Sequence, residues 1–130
     1  MKIVRLTRVA ACVRFWDHFV AGFHHVELFL KYQLALETYR QILFALAVNP
    51  KGWVGICLDE TEEPGGFMLA HECTPIFAPH KEYEVSVAYA KDNSREVLKT
   101  LQASFEQFAK EQGVTIYYAT TRRDSGVILS

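Results

Sequence analysis

Residues 82–120, EYEVSVAYAKDNSREVLKTLQASFEQFAKEQGVTIYYAT, constrain the fold of this chain more than any other stretch. The first nine residues alternate, with Tyr83, Val85, Val87 and Tyr89 on one face of an extended strand and Glu84, Ser86, Ala88 and Ala90 on the other. From Val97 the period lengthens, and Val97, Leu98, Leu101, Phe105 and Phe108 form a helical stripe. Gly113 supplies a C-terminal stop, and VTIYYAT starts another strand. The turn into the helix is a natural anion site, because the first N–H groups of a helix lack partners and its dipole is positive there. A backbone that wraps a phosphate normally uses glycine, yet none occurs from Phe67 to Gln112. The span Asp92-Asn93-Ser94-Arg95-Glu96-Val97 stands there instead. Asn93 and Ser94 are good caps, and Glu96 lies three residues beyond Asn93 as in a capping box, so the helix can start without a ligand.

The remaining elements fall on either side of a change in period. KIVRL (Lys2 to Leu6) reads as a short strand, with Thr7 able to cap a helix after it. From Val9, the positions Cys12, Val13, Trp16, Phe19, Val20 and Phe23 predict one amphipathic helix, loosening at His24-His25. Leu34 to Val48 predicts a second, stopped by Asn49-Pro50. GWVGICLDE (Gly52 to Glu60) and GFMLAHEC (Gly66 to Cys73) are strand-like, with TEEPGG as the turn of a hairpin. The order is β-α-α-β-β-β-α-β.

At 130 residues the chain is expected to form a single domain, 1–130, able to bury a core without disulfide or metal. Half its residues are hydrophobic and 22% charged, which excludes a disordered chain and suits an α/β domain. A net charge of −1 and the absence of a basic cluster argue against nucleic-acid binding; the pair Arg122-Arg123 is followed at once by Asp124. Cys12, Cys57 and Cys73 are odd in number and lack C-x-x-C spacing, so a reducing cytoplasm is the expected setting. The longest apolar run, Ile42 to Val48, is too short to span a bilayer, and the amino terminus has no signal-peptide layout, so no membrane association is expected.

The words NPKGWVGICLDE, GGFMLAHECTPIF and FEQFAKEQGVTIYYAT, taken with the order of elements, resemble the GNAT superfamily of acyl-CoA-dependent N-acetyltransferases, and short bacteriophage members in particular. The resemblance implies an α/β fold with a mixed, mostly antiparallel central sheet and helices on both faces. It implies acetyl-CoA as co-substrate, bound where the fourth and fifth strands part: pantetheine along Val87 and Tyr89, pyrophosphate at Asn93, Ser94, Arg95 and Glu96. The usual motif of Arg or Gln followed by spaced glycines is degenerate here. Asp92 and Glu96 place negative charge beside an anion site, opposed by Lys91 and Arg95. Members of the family also continue with a further helix and a closing hairpin, so the resemblance implies either that the sequence is part of a longer protein or that the domain is without its C-terminal third. Without it the 114–120 strand is expected to present an unprotected edge, favouring self-association or acceptance of a partner strand.

Glu84 stands where the family often carries the general base that takes the proton of an acceptor amine. Its alternative reading is an exposed glutamate on the polar face of a half-buried strand. Tyr117 and Tyr118 lie within the last strand rather than beyond it, and so do not match the family's usual proton donor. His71-Glu72-Cys73 offers three metal-capable side chains, but alternation sends Glu72 away from the other two, and no metal is expected. The leading functional expectation is therefore N-acyl transfer from acetyl-CoA to an amine on a small molecule or protein. The alternative is a non-catalytic structural or host-interaction protein of the same fold, such as a phage virion component; the setting would then be the host cytoplasm or the virion.

Overall fold

The computed structural model describes residues 1–25, 36–73, 80–114 and 117–119. The elements are β1 (Lys2–Arg5), α1 (Val9–Arg14), α2 (Trp16–His25), α3 (Leu36–Val48), β2 (Trp53–Leu58), β3 (Pro64–Cys73), β4 (Glu82–Ala90), α4 (Arg95–Glu111) and β5 (Tyr117–Ala119). The five strands form one sheet in the order β1-β2-β3-β4-β5. Every pairing is antiparallel except β4 with β5, which is parallel. A parallel pair needs a crossover, and α4 supplies it.

Helices cover both faces of the sheet. Cys12, Phe19, Phe23, Tyr39 and Leu43 of α1–α3 pack with Val54, Ile56, Leu58, Phe67, Leu69 and Val87 of the sheet. Leu101, Phe105, Phe108 and Ala109 of α4 pack on the opposite face with Trp53, Cys57, Met68, Ala70, Tyr83 and Val85. β2 is buried at all six positions because alternate residues enter the two cores. Two glycines permit close approach. A Cβ on Gly22 of α2 would lie 2.3 Å from the Phe67 ring, and one on Gly55 of β2 would lie 2.2 Å from the Trp53 indole.

Several local expectations change. The single helix expected from Val9 to Phe23 is broken at Phe15, whose φ of −105° and ψ of 17° leave the helical range; α1 and α2 follow one another across that residue. Thr7 does not cap α1. The N-cap position is Arg8, in extended conformation and without a side-chain capping bond, because the chain stays extended past the end of β1. The end of α4 agrees with the expected glycine stop. Gly113 has φ +75°, its N–H donates to Lys110 O at 3.0 Å, and the Val114 N–H donates to Ala109 O at 2.9 Å, the paired bonds of a Schellman motif. β5 lies at the edge of the sheet among the described residues; the self-association expected at 114–120 also involves positions 115, 116 and 120, which lie outside them. The helix expected to start at Leu34 is described from Leu36. No described helix is long and apolar enough to cross a membrane.

Candidate functional site at the β4 bulge

β4 does not keep one alternation along its length. Against β3, Leu69 faces Val87 and the next rung pairs Ala70 with Val85, so Ser86 is an extra residue in β4, a β-bulge. The bulge exchanges the faces. Tyr83 and Val85 point towards α4, whereas Val87 and Tyr89 point towards the helices on the other side. This corrects the expectation that all four share a face: the two halves of the strand alternate in opposite phase. It also places Val87 in the core and Tyr89, half-buried, against it, so that a ligand running along the strand would meet Val87 through its backbone. β5 pairs with Tyr83, Glu84 and Val85, and among the described residues no strand continues beside 86–90 on that side. The described part of β5 thus ends beside the bulge.

Glu84 lies two residues before the bulge, directly opposite His71 on β3 and, in parallel register, beside Tyr118 on β5. Its carboxylate is 23% exposed, and Oε2 is 4.0 Å from His71 Nε2. The other imidazole nitrogen, Nδ1, is 3.1 Å from Ser86 Oγ. Three polar side chains thus converge on the bulge. Glu72 faces away, as alternation requires, and is taken up by Lys81 at 3.4 Å and Lys51 at 3.7 Å. Among the described residues no group of three metal-capable side chains could hold an ion.

Past the bulge, β4 runs into a 3₁₀ turn at Lys91–Asn93 and then α4. Asp92 and Asn93 both have positive φ, 58° and 54°. Asp and Asn are the residues other than glycine that most readily enter the left-handed region, which explains how the turn forms without glycine. The glycine needed nearby sits on the adjacent strand. A Cβ on Gly66 would lie 2.6 Å from both Tyr89 O and Val97 Cγ1, so this residue lets the first turn of α4 lie over β3. Ser94 is the N-cap, and its Oγ accepts the Val97 N–H at 3.3 Å. The capping box expected between Asn93 and Glu96 assumed Asn93 as N-cap; Asn93 belongs instead to the preceding turn, and Glu96 is the second residue of the helix. By position, the Arg95 and Glu96 amides have no acceptor inside the helix. With the exposed Lys91 and Arg95 beside them, they suit an anionic group; the exposed Asp92 and Glu96 oppose it. Asn93, Ser94, Arg95 and Glu96 are therefore gathered at one helix start, at the far end of β4 from Glu84.

Sequence reasoning missed His18. From α2 its ring packs on Tyr89 and Phe67, with centroids at 5.4 and 5.5 Å, close to where β4 enters the turn. Burial holds its pKa below the usual histidine range, a backbone hydrogen bond with Gly66 acts in the opposite sense, and Lys91 lowers it further. Its Nε2 is buried without a hydrogen-bond partner among the described residues. No local pattern marked it, since its role depends on which strand α2 covers. Cys12, expected in the core, is fully buried, and desolvation pushes its thiol up to about 11.

No protein-family model matches the chain, and no curated protein matches it. Solved structures do. A probable acetyltransferase is similar over 98% of this chain and 83% of its own, with TM-score 0.69 at 20% identity. The ribosomal-protein-alanine N-acetyltransferase of Brucella melitensis biovar Abortus 2308 is similar over 95% of this chain and 83% of its own, with TM-score 0.68 at 11% identity. An aminoglycoside acetyltransferase from an uncultured soil metagenomic sample, solved in complex with sisomicin, is similar over 94% and 78%, with TM-score 0.68 at 15% identity. At these identities the likeness concerns the arrangement of elements rather than the chemistry of any one side chain. The arrangement of five strands and their covering helices is the one shared with these acetyltransferases: the chain has a GNAT fold.

Proposed function

We propose that this protein transfers an acetyl group from acetyl-CoA to a primary amine. The observation that carries the reading is that β4, bulged at Ser86 next to its parallel pairing with β5, leads directly to the N-terminus of α4. An elongated anionic thioester fits such a path. Its diphosphate would lie on the amides of Arg95 and Glu96 beside the Arg95 guanidinium, and its pantetheine along the backbone of Val87 and Tyr89. The thioester would then reach the bulge, where Glu84 stands ready as a general base. An ammonium must lose a proton before its nitrogen can attack the carbonyl carbon and expel the thiolate, and a carboxylate beside the amine provides for that loss. The two named neighbours differ in acceptor but share amine chemistry, which supports the primary amine as the substrate class.

The test is acetyl-CoA binding followed by turnover, with sisomicin and a peptide bearing an N-terminal alanine as acceptor probes. Acetyl-CoA should raise Tm, and Arg95→Ala should diminish the rise through loss of a charge-assisted phosphate contact. Glu84→Gln should lower kcat more than it alters acetyl-CoA affinity. Absence of a Tm rise at millimolar acetyl-CoA would refute the proposal. One observation favours a second reading, a non-catalytic protein on the same fold: Ser94 already caps α4, and the turn carries acidic side chains where an anion would lie. The same binding measurement separates the two.

A further inference from the structure

We propose that the group that accepts the amine's proton is the His71–Glu84 pair, with the His71 imidazole taking the proton and Ser86 holding the ring. This deepens the acyltransferase reading and rests on it. His71 and Glu84 occupy directly opposite positions of the β3–β4 ladder, one rung from the bulge. Ser86, the extra residue of the bulge two positions along β4 from Glu84, reaches the same imidazole.

The two distances on the ring differ in kind. At 3.1 Å from Ser86 Oγ, Nδ1 is within hydrogen-bond range. At 4.0 Å from Glu84 Oε2, Nε2 is not. These distances accommodate a neutral imidazole that donates Nδ1–H to the Ser86 oxygen, the tautomer that keeps Nε2 unprotonated and able to take a proton beside the carboxylate. A proton arriving on Nε2 creates an imidazolium next to an anion, and a small closure turns the 4.0 Å approach into a charge-assisted bond. The step balances simply. The ammonium nitrogen gives one proton to Nε2 and retains the electron pair of its N–H bond as the lone pair of the nucleophile. The imidazole, 39% exposed, then returns that proton to water. The Glu84 carboxylate stabilises the charged form of the imidazole once the proton has arrived.

The other titratable groups around the pair leave it this task. On β3, Cys73 follows two residues along on the same side; on β4, Glu82 is held by His80 at 3.0 Å; Glu72 faces the opposite side with Lys51 and Lys81. Glu84 and Ser86 make further interactions of their own, which help to fix their positions.

The experiment is the pH dependence of kcat/KM for wild type, His71→Asn, Ser86→Ala and Glu84→Gln, with whichever of the two amine probes is acetylated. Asn keeps a hydrogen-bonding atom near the Nδ1 position but cannot take a proton. Its kcat/KM should fall on the order of a hundredfold near pH 7, and the deficit should shrink towards about pH 9.5 as free amine becomes available. Added imidazole should restore part of the activity of His71→Ala. A structural defect would give a deficit that does not vary with pH and does not respond to imidazole, and that result would overturn the proposal. Wild-type kcat/KM and pH profile in His71→Asn would overturn it while leaving acetyl transfer intact. A wild-type protein that binds no acetyl-CoA would overturn the underlying function and this proposal with it. A measurement that needs no variant is the ¹⁵N spectrum of the His71 ring above neutral pH: the Nδ1–H tautomer is expected, and the Nε2–H tautomer would refute the assignment.

Discussion

Ser94 is the residue at which helix capping and ligand binding make opposite demands, and three substitutions separate them. Its Oγ accepts the Val97 N–H at 3.3 Å, a longer bond than the usual 2.9–3.0 Å, and it is half-buried. Removing a serine cap costs about 0.5–2 kcal/mol, and the length of this bond places Ser94→Ala at about 1 kcal/mol or somewhat below. In a domain of this size that corresponds to a fall in Tm of roughly 3–5 °C. Ser94→Gly should cost only a few tenths of a kcal/mol, because glycine tolerates the cap conformation and leaves the Val97 amide to solvent or ligand. Ser94→Asp should preserve the cap and hold Tm, while placing a full negative charge where a diphosphate would lie. Between unit charges about 4 Å apart, the repulsion is roughly 1 kcal/mol even at the dielectric of water, so acetyl-CoA affinity should drop at least about fivefold at low salt. Differential scanning fluorimetry gives the Tm series and isothermal titration calorimetry the affinities. Unchanged Tm in Ser94→Ala would show that Ser94 does not stabilise the helix start. Unchanged acetyl-CoA affinity in Ser94→Asp would show that the diphosphate does not lie there. If Ser94→Gly binds more weakly than wild type at equal stability, the hydroxyl is a ligand contact rather than a competitor for the amide.

Gly55→Ala should destabilise by about 1–3 kcal/mol, since its Cβ would lie 2.2 Å from the indole of a Trp53 that is only 2% exposed; a urea midpoint equal to wild type would contradict the close packing. Burial keeps the His18 pKa below its ordinary 6.5, so between the two values the unfolded chain binds the proton more readily than the folded one. Stability from this residue is therefore complete above about pH 6.5 and is lost as pH falls below it; His18→Phe should flatten that part of the urea-midpoint profile, and an unchanged slope would refute the assignment. Asn93, at φ 54°, should tolerate glycine with little change but lose roughly 1 kcal/mol on replacement by alanine; equal Tm for the two variants would deny the left-handed backbone.

The sequence made elements legible more readily than pairings. The limits of β4, Glu82 to Ala90, follow from its alternation and agree with the structure. The direction of its side chains does not, because a bulge is a property of two strands in register. Nothing in EYEVSVAYA alone marks Ser86 as supernumerary, and apolar residues on both sides of it are tolerated since the sheet is covered on both faces. Alternation already puts Ser86 on the side of Glu84, but His71 is a polar residue of another strand, and only the β3–β4 register brings it to them. The cap was ambiguous because Asp92, Asn93 and Ser94 are all capable of it; the 3₁₀ turn settles the matter by using the first two at positive φ and leaving Ser94 to the helix.

That division of labour bears on the missing glycine. Asp92 and Asn93 provide the backbone that glycine would otherwise provide, and Gly66 on β3 supplies the close approach to Val97 from the neighbouring strand. The geometry of an anion-binding helix start can therefore persist while its electrostatics change. An exposed Asp92 carboxylate now stands beside the site, so attraction for an anion depends on the net of Lys91 and Arg95 against Asp92 and Glu96 rather than on the helix dipole alone. Charges this exposed are screened within about 8 Å at physiological ionic strength. Asp92→Asn should accordingly strengthen acetyl-CoA binding at low salt without disturbing the turn, since Asn accepts the same left-handed conformation. The gain should disappear as salt is raised. A gain that persists in high salt would locate its origin in hydrogen bonding or backbone geometry instead, and would refute the electrostatic account of the turn.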